Sequence, residues 1–420
     1  MSEWQKVKLK DCCIKIGSGS TPKGGSMVYV NSGTSLIRSQ NVYNLSFDYN
    51  GLTHITEDAA NKLKGVTVFN EDILLNITGD SVARTCIVPK EVLPARVNQH
   101  VAIIRTDRKK MNWRFLNYYL ASPKMQAHML SLAVGKGASR NAMTKQMIEN
   151  FEVPYPPLST QHRIASILSR YDSLIENYQK QIKLLEEAAQ RLYKEWFIDL
   201  RFPGHENTKI VDGLPEGWEK KKLGDLFSFV RGKSYTSKEL SDDGTIMVNL
   251  KNIQSFGGYK SDVEKHFIGT FKEEQTLMKG DLIMGVTDMT QERRLVGSVA
   301  LIPDFKETAT FSMDLIKLVS HKLPNVYLYC AMRYGDISRQ IAPLANGVNV
   351  LHLKPESINN IEMLVASESI IDKFARYTSK TIEAILSLQS QLRLLTEARD
   401  RLLPKLMNGE MEIQDNKQVK

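Results

Sequence analysis

The chain has 420 residues, too many for one ordinary core, with 42% hydrophobic and 25% charged residues, the balance of a globular protein rather than a disordered or fibrous one. Lys and Arg number 56 against 47 Asp and Glu, a net charge of +9 that suits a polyanionic partner. No apolar run approaches the roughly 20 residues of a membrane span, residues 1–10 hold no signal-peptide core, and Cys12, Cys13, Cys86 and Cys330 have neither zinc-site nor disulfide spacing, so a cytoplasmic chain with free, buried thiols, no metal and no membrane partner is expected.

Residues 1–156 read as a mixed globular domain. Short β-type runs at 35–38, 72–78, 84–88 and 100–105 alternate with turn residues, and a helical pattern covers 113–132. A small polar loop with two basic residues follows at 135–143, then a strand-like piece at 151–154. The basic excess sits in this part: residues 1–157 hold 20 Lys and Arg against 12 Asp and Glu, whereas residues 203–365 hold 20 against 21.

Residues 157–202 read as one long helix. No Gly or Pro lies between Pro157 and Pro203, and Ser159 and Thr160 can cap the first turn. Apolar residues recur in steps of four and three at Ile164, Leu168, Tyr171, Ile175, Tyr178, Ile182, Leu185, Ala189, Leu192 and Trp196, the heptad rhythm of a coiled-coil seam. About 40 residues at 1.5 Å each make a rod of about 60 Å, which cannot bury its own stripe.

Residues 203–217 form a Gly- and Pro-containing connector, and Trp218 then opens a second pass through the same plan, 218–366. Trp4, Leu9 and Asp11 are echoed by Trp218, Leu223 and Asp225. The runs 38–42, 71–75 and 88–89 are echoed by 249–253, 280–284 and 302–303. A second rod, 367–409, carries Phe374, Thr378, Thr381, Ile385, Leu388, Leu392, Leu395 and Leu402 on the same rhythm, and a polar tail closes the chain at 410–420. Matched register and tandem order predict that the rods pack antiparallel.

No catalytic constellation emerges. The run 17–22 lacks the Gly-Lys-Ser/Thr of a phosphate loop, and no serine elbow or paired-histidine metal spacing occurs. What recurs twice is polar and basic loop residues. Arg38, Gln40 and Asn41 follow a strand, and Asn249, Lys251 and Asn252 hold the matching place. Arg84 and the pair Arg293 and Arg294 follow corresponding strands, and Ser139, Arg140 and Asn141 in one half and Asn349 in the other precede the rods. Arg and Lys pair with guanine edges and Asn and Gln with adenine, so these are the candidate DNA contacts. Ile164, Leu168, Ile175, Ile182, Leu185 and Leu192 on the first rod, with Ile385, Leu392, Leu395 and Leu402 on the second, are the candidate spacer and docking positions.

Three motifs resemble the specificity subunit of type I restriction–modification enzymes. They are Pro157-Leu158-Ser159-x-Gln161-x-x-Ile164; Leu214-Pro215-Glu216-Gly217-Trp218 with Leu223-Gly224-Asp225; and the run 401–410. The resemblance covers essentially the whole chain. It implies an α+β fold with an internal pseudo-twofold repeat, two mixed α/β target-recognition domains separated by two long antiparallel coiled-coil helices. It also implies a non-catalytic subunit that reads a bipartite, asymmetric site on double-stranded DNA. Two methyltransferase subunits would dock on it and, through them, two ATP-dependent restriction subunits. It implies no cofactor here, with S-adenosylmethionine, ATP and Mg on the partners. The nearly neutral second domain departs from a simple basic-patch expectation. The residues by themselves leave open a self-sufficient DNA nuclease or methyltransferase, or a coiled-coil scaffold with no DNA role.

Overall fold

Short apolar runs bounded by Gly, Pro, Asn and Asp become short strands in both halves. A computed structural model describes residues 4–134, 141–261 and 265–411. The chain divides into one unit of Met1–Ser173 with Glu397–Lys420 and another of Leu174–Thr396.

In the first unit a four-stranded antiparallel sheet runs in the order Thr85–Ile87, Ile73–Asn76, Val101–Thr106, Cys13–Ser18. A five-stranded sheet has the order Tyr29–Val30, Thr53–Ile55, Thr34–Ile37, Ala95–Val97, Thr67–Val68, with Ala95–Val97 parallel to Thr34–Ile37. Alternate residues of Ile73–Asn76 face different cores, Ile73 and Leu75 one and Leu74 the other, as the period of two requires. The helical pattern at 113–132 is two helices, Trp113–Ala121 and Pro123–Ala133, rather than one. Pro123 holds the residue before it out of the helical region, and the freed Ser122 caps the second helix by accepting from Met125 N.

The second unit repeats the plan. Its antiparallel sheet runs Val299–Leu301, Leu282–Gly285, Leu315–Ser320, Phe227–Arg231. Its other sheet runs Leu240–Ser241, His266–Phe267, Thr245–Val248, Ala309–Phe311, the last two parallel. The two antiparallel sheets have the same order, and Leu282–Gly285, which overlaps the echo 280–284, takes the place of Ile73–Asn76. Two further strand pairs match, Lys6–Lys8 with Glu152–Pro154 and Glu219–Lys222 with Glu362–Val365.

The two long periodic stretches are helices, Leu158–Tyr193 and Glu368–Met407, about 54 and 60 Å at 1.5 Å per residue. Each runs through both units. In the first unit Ile164 and Leu168 share a core with Leu403, Leu406 and Met407, and Asp172 meets Arg399 at 3.0 Å, so numbers rise along one helix as they fall along the other. In the second unit Trp196 packs against Phe374 and Tyr377 with ring centroids 5.7 and 6.0 Å apart. The first helix ends in a π turn, Lys194–Ile198. Trp196 and Phe197, neighbours in sequence, are both buried there, which a regular turn of 3.6 residues disfavours. Pro404 lies in the last turn of the second helix, where the missing N–H removes one bond near a fraying end.

The motif residues mostly anchor these helices. Gln161 is wholly buried; its Oε1 accepts from Asn112 N at 2.8 Å and its Nε2 donates to Pro156 O at 2.9 Å and Lys110 O at 3.3 Å. Trp4 lies against Gly409, where a Cβ would come within 3.2 Å of the indole, and Gly409 is also left-handed, with φ +70°. Trp218 packs on Phe202 at 5.1 Å.

Candidate nucleic-acid interface

In the first unit strand Thr34–Ile37 ends at Arg38 and the chain closes a 3-10 turn, Ser39–Asn41. Asn41 makes that turn. It is wholly buried, its Oδ1 accepts from Arg38 N at 3.0 Å, and its Nδ2 donates to Asp48 O at 2.9 Å and Asn50 O at 3.3 Å. Gln40 is exposed and Arg38 half-buried, and their side chains converge on one carbonyl, Gly51 O, at 3.2 and 2.7 Å. Beside them Asn76 Nδ2 donates to Ser39 O at 2.8 Å, tying the turn to the neighbouring strand. Arg84 sits with its guanidinium 4.6 Å from the centre of the Tyr43 ring, a cation–π contact. Asn141 is half-buried and its carbonyl accepts from Gly79 N at 2.9 Å. Ser139 and Arg140 lie outside the described residues.

The second unit builds the same turn, Leu250–Asn252, from the same chemistry. Asn252 Oδ1 accepts from Asn249 N at 3.0 Å and its Nδ2 donates to Lys260 O at 3.2 Å. Asn249 is buried too, with Oδ1 accepting from Lys251 N at 3.0 Å and Nδ2 donating to Met247 O at 3.2 Å, while Lys251 is exposed. Arg293 has φ 53° and donates from Nη1 to Pro343 O at 3.2 Å. Arg294 is exposed and ion-paired with Glu292, and Asn349 is exposed. Backbone pairing places the loops after the two corresponding strands more closely. Asn76 N donates to Arg84 O and Gly285 N to Ser298 O, so Ser298, not Arg293 or Arg294, stands where Arg84 does.

Three of the candidate base readers are therefore turned inward. Asn41, Asn249 and Asn252 spend their amides on the backbone of their own loops. The residues that remain exposed are Gln40, Lys251, Arg294 and Asn349, with Arg38, Arg84, Arg293 and Asn141 half-buried. On the helices Ile164, Leu168, Ile175, Ile182 and Ile385 are buried, and Leu185, Leu192, Leu392, Leu395 and Leu402 half-buried.

A polar chain in the first unit was not anticipated from the sequence. The Thr21 hydroxyl donates to Gln99 Oε1, Gln99 Nε2 donates to His100 Nε2 at 3.0 Å, and His100 Nδ1 meets Thr78 Oγ1 at 2.6 Å. Its signal was the polar run 98–100 just ahead of a strand. Among the described residues no three His, Cys, Asp or Glu side chains gather as a metal site, and no helix is long and apolar enough to cross a membrane. All four thiols are free, and burial pushes those of Cys86 and Cys330 up to about 12.

A family model described as the type I restriction modification DNA specificity domain matches residues 1–187 and 215–382. The chain is 26% identical over 424 residues to the type I restriction enzyme MjaIX specificity subunit of Methanocaldococcus jannaschii, covering 98% of this chain and 94% of that one. It is 20% identical over 488 residues to the type I restriction enzyme HindI specificity subunit of Haemophilus influenzae, covering 98% and 100%. Its fold is similar to that of the type I restriction-modification S subunit from M. genitalium, with a TM-score of 0.62 at 16% identity, over 98% and 97% of the two chains.

Proposed function

We propose that this chain, which belongs to the family of type I restriction modification DNA specificity domains, reads a bipartite, asymmetric site on double-stranded DNA, one half with the loops of each repeat. It is a specificity subunit of a type I restriction–modification system. The observation that carries the two-part reading is the duplicated turn. Asn41 and Asn252 hold the same loop shape from inside, while what the loop offers outside differs, Arg38 and Gln40 in one and Lys251 in the other. One scaffold with different outward side chains is suited to reading two different sequences.

In this reading residues 1–156 and 218–366 are target-recognition domains, 203–217 is a connector and 410–420 a tail. Residues 157–202 and 367–409 are an antiparallel coiled-coil spacer on which two methyltransferase subunits dock, joined by two restriction subunits. The chain acts in the cytoplasm and binds no cofactor or metal of its own. S-adenosylmethionine, ATP and Mg are held by the partners, which methylate adenine and cleave. Ser139, Arg140 and Asn141 would contact the first half-site and Arg293, Arg294 and Asn349 the second. Hydroxyl-radical and methylation-interference footprinting of the chain assembled with its methyltransferase partner tests this. Two contacted blocks separated by an unread spacer are expected, and one continuous block would overturn the reading.

A further inference from the structure

The outward loops of the second unit carry more than cations. Three large apolar side chains stand exposed on neighbouring loops, Phe256 at 63%, Met289 at 78% and Val348 at 86%. The loops are tied together. Phe256 N donates to Arg294 O at 3.1 Å, Gln291 Nε2 to Val348 O at 2.8 Å, and Arg293 Nη1 to Pro343 O at 3.2 Å. Buried Asp288 frames the middle loop, accepting from Thr290 N at 2.8 Å and Leu295 N at 2.7 Å. Asp288 also pairs with Leu351 across a short ladder, which brings Met289 beside the 346–350 loop.

Phe256 is held outward by its backbone. It has φ +68°, a region a bulky residue enters at a cost. In the first unit Leu45 has a similar φ of 60° and donates to Thr85 O at 2.9 Å, but its side chain is half-buried against the core. The first unit exposes Tyr43 and Tyr49 just after its corresponding turn, whereas the Phe, Met and Val display lies in the second half of the chain. It is the half without a basic surplus, 20 Lys and Arg against 21 Asp and Glu over residues 203–365. Exposed apolar groups on loops that also carry Arg293 and Arg294 mark a contact surface, and the apolar feature that B-DNA offers in its major groove is the thymine 5-methyl.

We propose that the second unit reads its half-site in part through thymine methyl groups, received by Phe256, Met289 and Val348 beside the hydrogen-bonding contacts of the cations on the same face. The inference rests on the DNA-reading role proposed above. It adds apolar contact to the polar contacts of the second half.

The test uses the chain assembled with its methyltransferase partner and a duplex carrying its methylated site. Each thymine of both half-sites is replaced singly by uracil, which keeps the base-pair hydrogen bonds and removes only the methyl. One or more uracils in the second half-site should weaken binding about fourfold each, the worth of one buried methyl-sized group. Phe256→Ala, Met289→Ala or Val348→Ala should abolish that discrimination at one position and leave the first half-site unaffected. All three are exposed, so folding should be kept. Tolerance of uracil at every second-half position, a second half without thymine, or variants that discriminate as before would overturn the inference while the two-part reading stands. No sequence-specific binding by the assembled complex would remove both.

Discussion

Replacing Phe374 by Ala should unfasten one unit and spare the other. Phe374 is wholly buried, with ring centroids 4.9 Å from Phe197, 5.7 Å from Trp196, 6.0 Å from Tyr193 and 6.2 Å from Tyr327. All five residues belong to the second unit, and they join the end of the first long helix, the start of the second and the helix Asn325–Tyr334. Deleting a buried Phe ring costs about 3–5 kcal/mol in transfer and cavity terms, and the edge-to-face pairs sit toward the upper end of that range. About 4 kcal/mol is nearly three decades in an opening equilibrium. Hydrogen-exchange mass spectrometry of the intact chain reads this region by region. Amides of residues 182–198 and 368–392 should exchange about a thousandfold faster, with residues 73–76 and 101–106 little changed. Equal acceleration in both sets, or none in either, would refute the reasoning.

Other outcomes follow from particular contacts. Asn41→Ala and Asn252→Ala should each destabilise their unit by about 2–3 kcal/mol through orphaned backbone groups, seen as a lower urea midpoint, while the methylated sequence stays the same. Iodoacetamide at pH 8 should leave Cys86 and Cys330 unmodified in the folded chain and modify both after denaturation. Their thiols are raised to about 12, so deprotonation, which needs pH above that value in the fold, is negligible at pH 8. Inserting four residues after Gln179 and four after Gln389 lengthens the helix pair by about 6 Å and should lengthen the unread spacer by about one or two base pairs at 3.4 Å each, with both half-sites unchanged in methylome sequencing.

Much of the fold was legible in the sequence because duplication gave every pattern a second copy. The echo of 71–75 by 280–284 marked two strands in the same place in two sheets. The heptad rhythm located both long helices, each start within one residue, since an uninterrupted apolar stripe with no Gly is a local signal, though the α-helix expected over 157–202 stops at Tyr193. Less local features were harder to read. Pro123 split one helical pattern in two because a single residue before proline overrode a continuing rhythm. The π turn at Lys194–Ile198 answers to the burial of Trp196 and Phe197 together, which depends on Phe374, far away in sequence.

The site was half legible for a related reason. A recurring Asn near a strand end is compatible both with base reading and with closing a turn. Only the positions of Asp48, Asn50 and Lys260 show that Asn41 and Asn252 do the latter. Repetition favours the residue that shapes the loop, while reading residues are free to differ between halves. That is why Arg38 and Gln40 face Gly51 in one unit and Lys251 stands exposed in the other. The exposed Phe256, Met289 and Val348 had no sequence signature, because exposure of an apolar residue is a property of its neighbours.

The central claim is that each unit reads one half of the site. Its most direct test is sequencing of methylated adenines in a host that carries the methyltransferase partner with either of two variants of this chain. Arg38→Ala with Gln40→Ala should relax or change bases in one half-site only, and Lys251→Ala with Arg294→Ala in the other half-site only, each lost base contact relaxing discrimination by about 1–3 kcal/mol at its position. Changes by both variants at the same positions, or uniform weakening at every sequence by both, would contradict it.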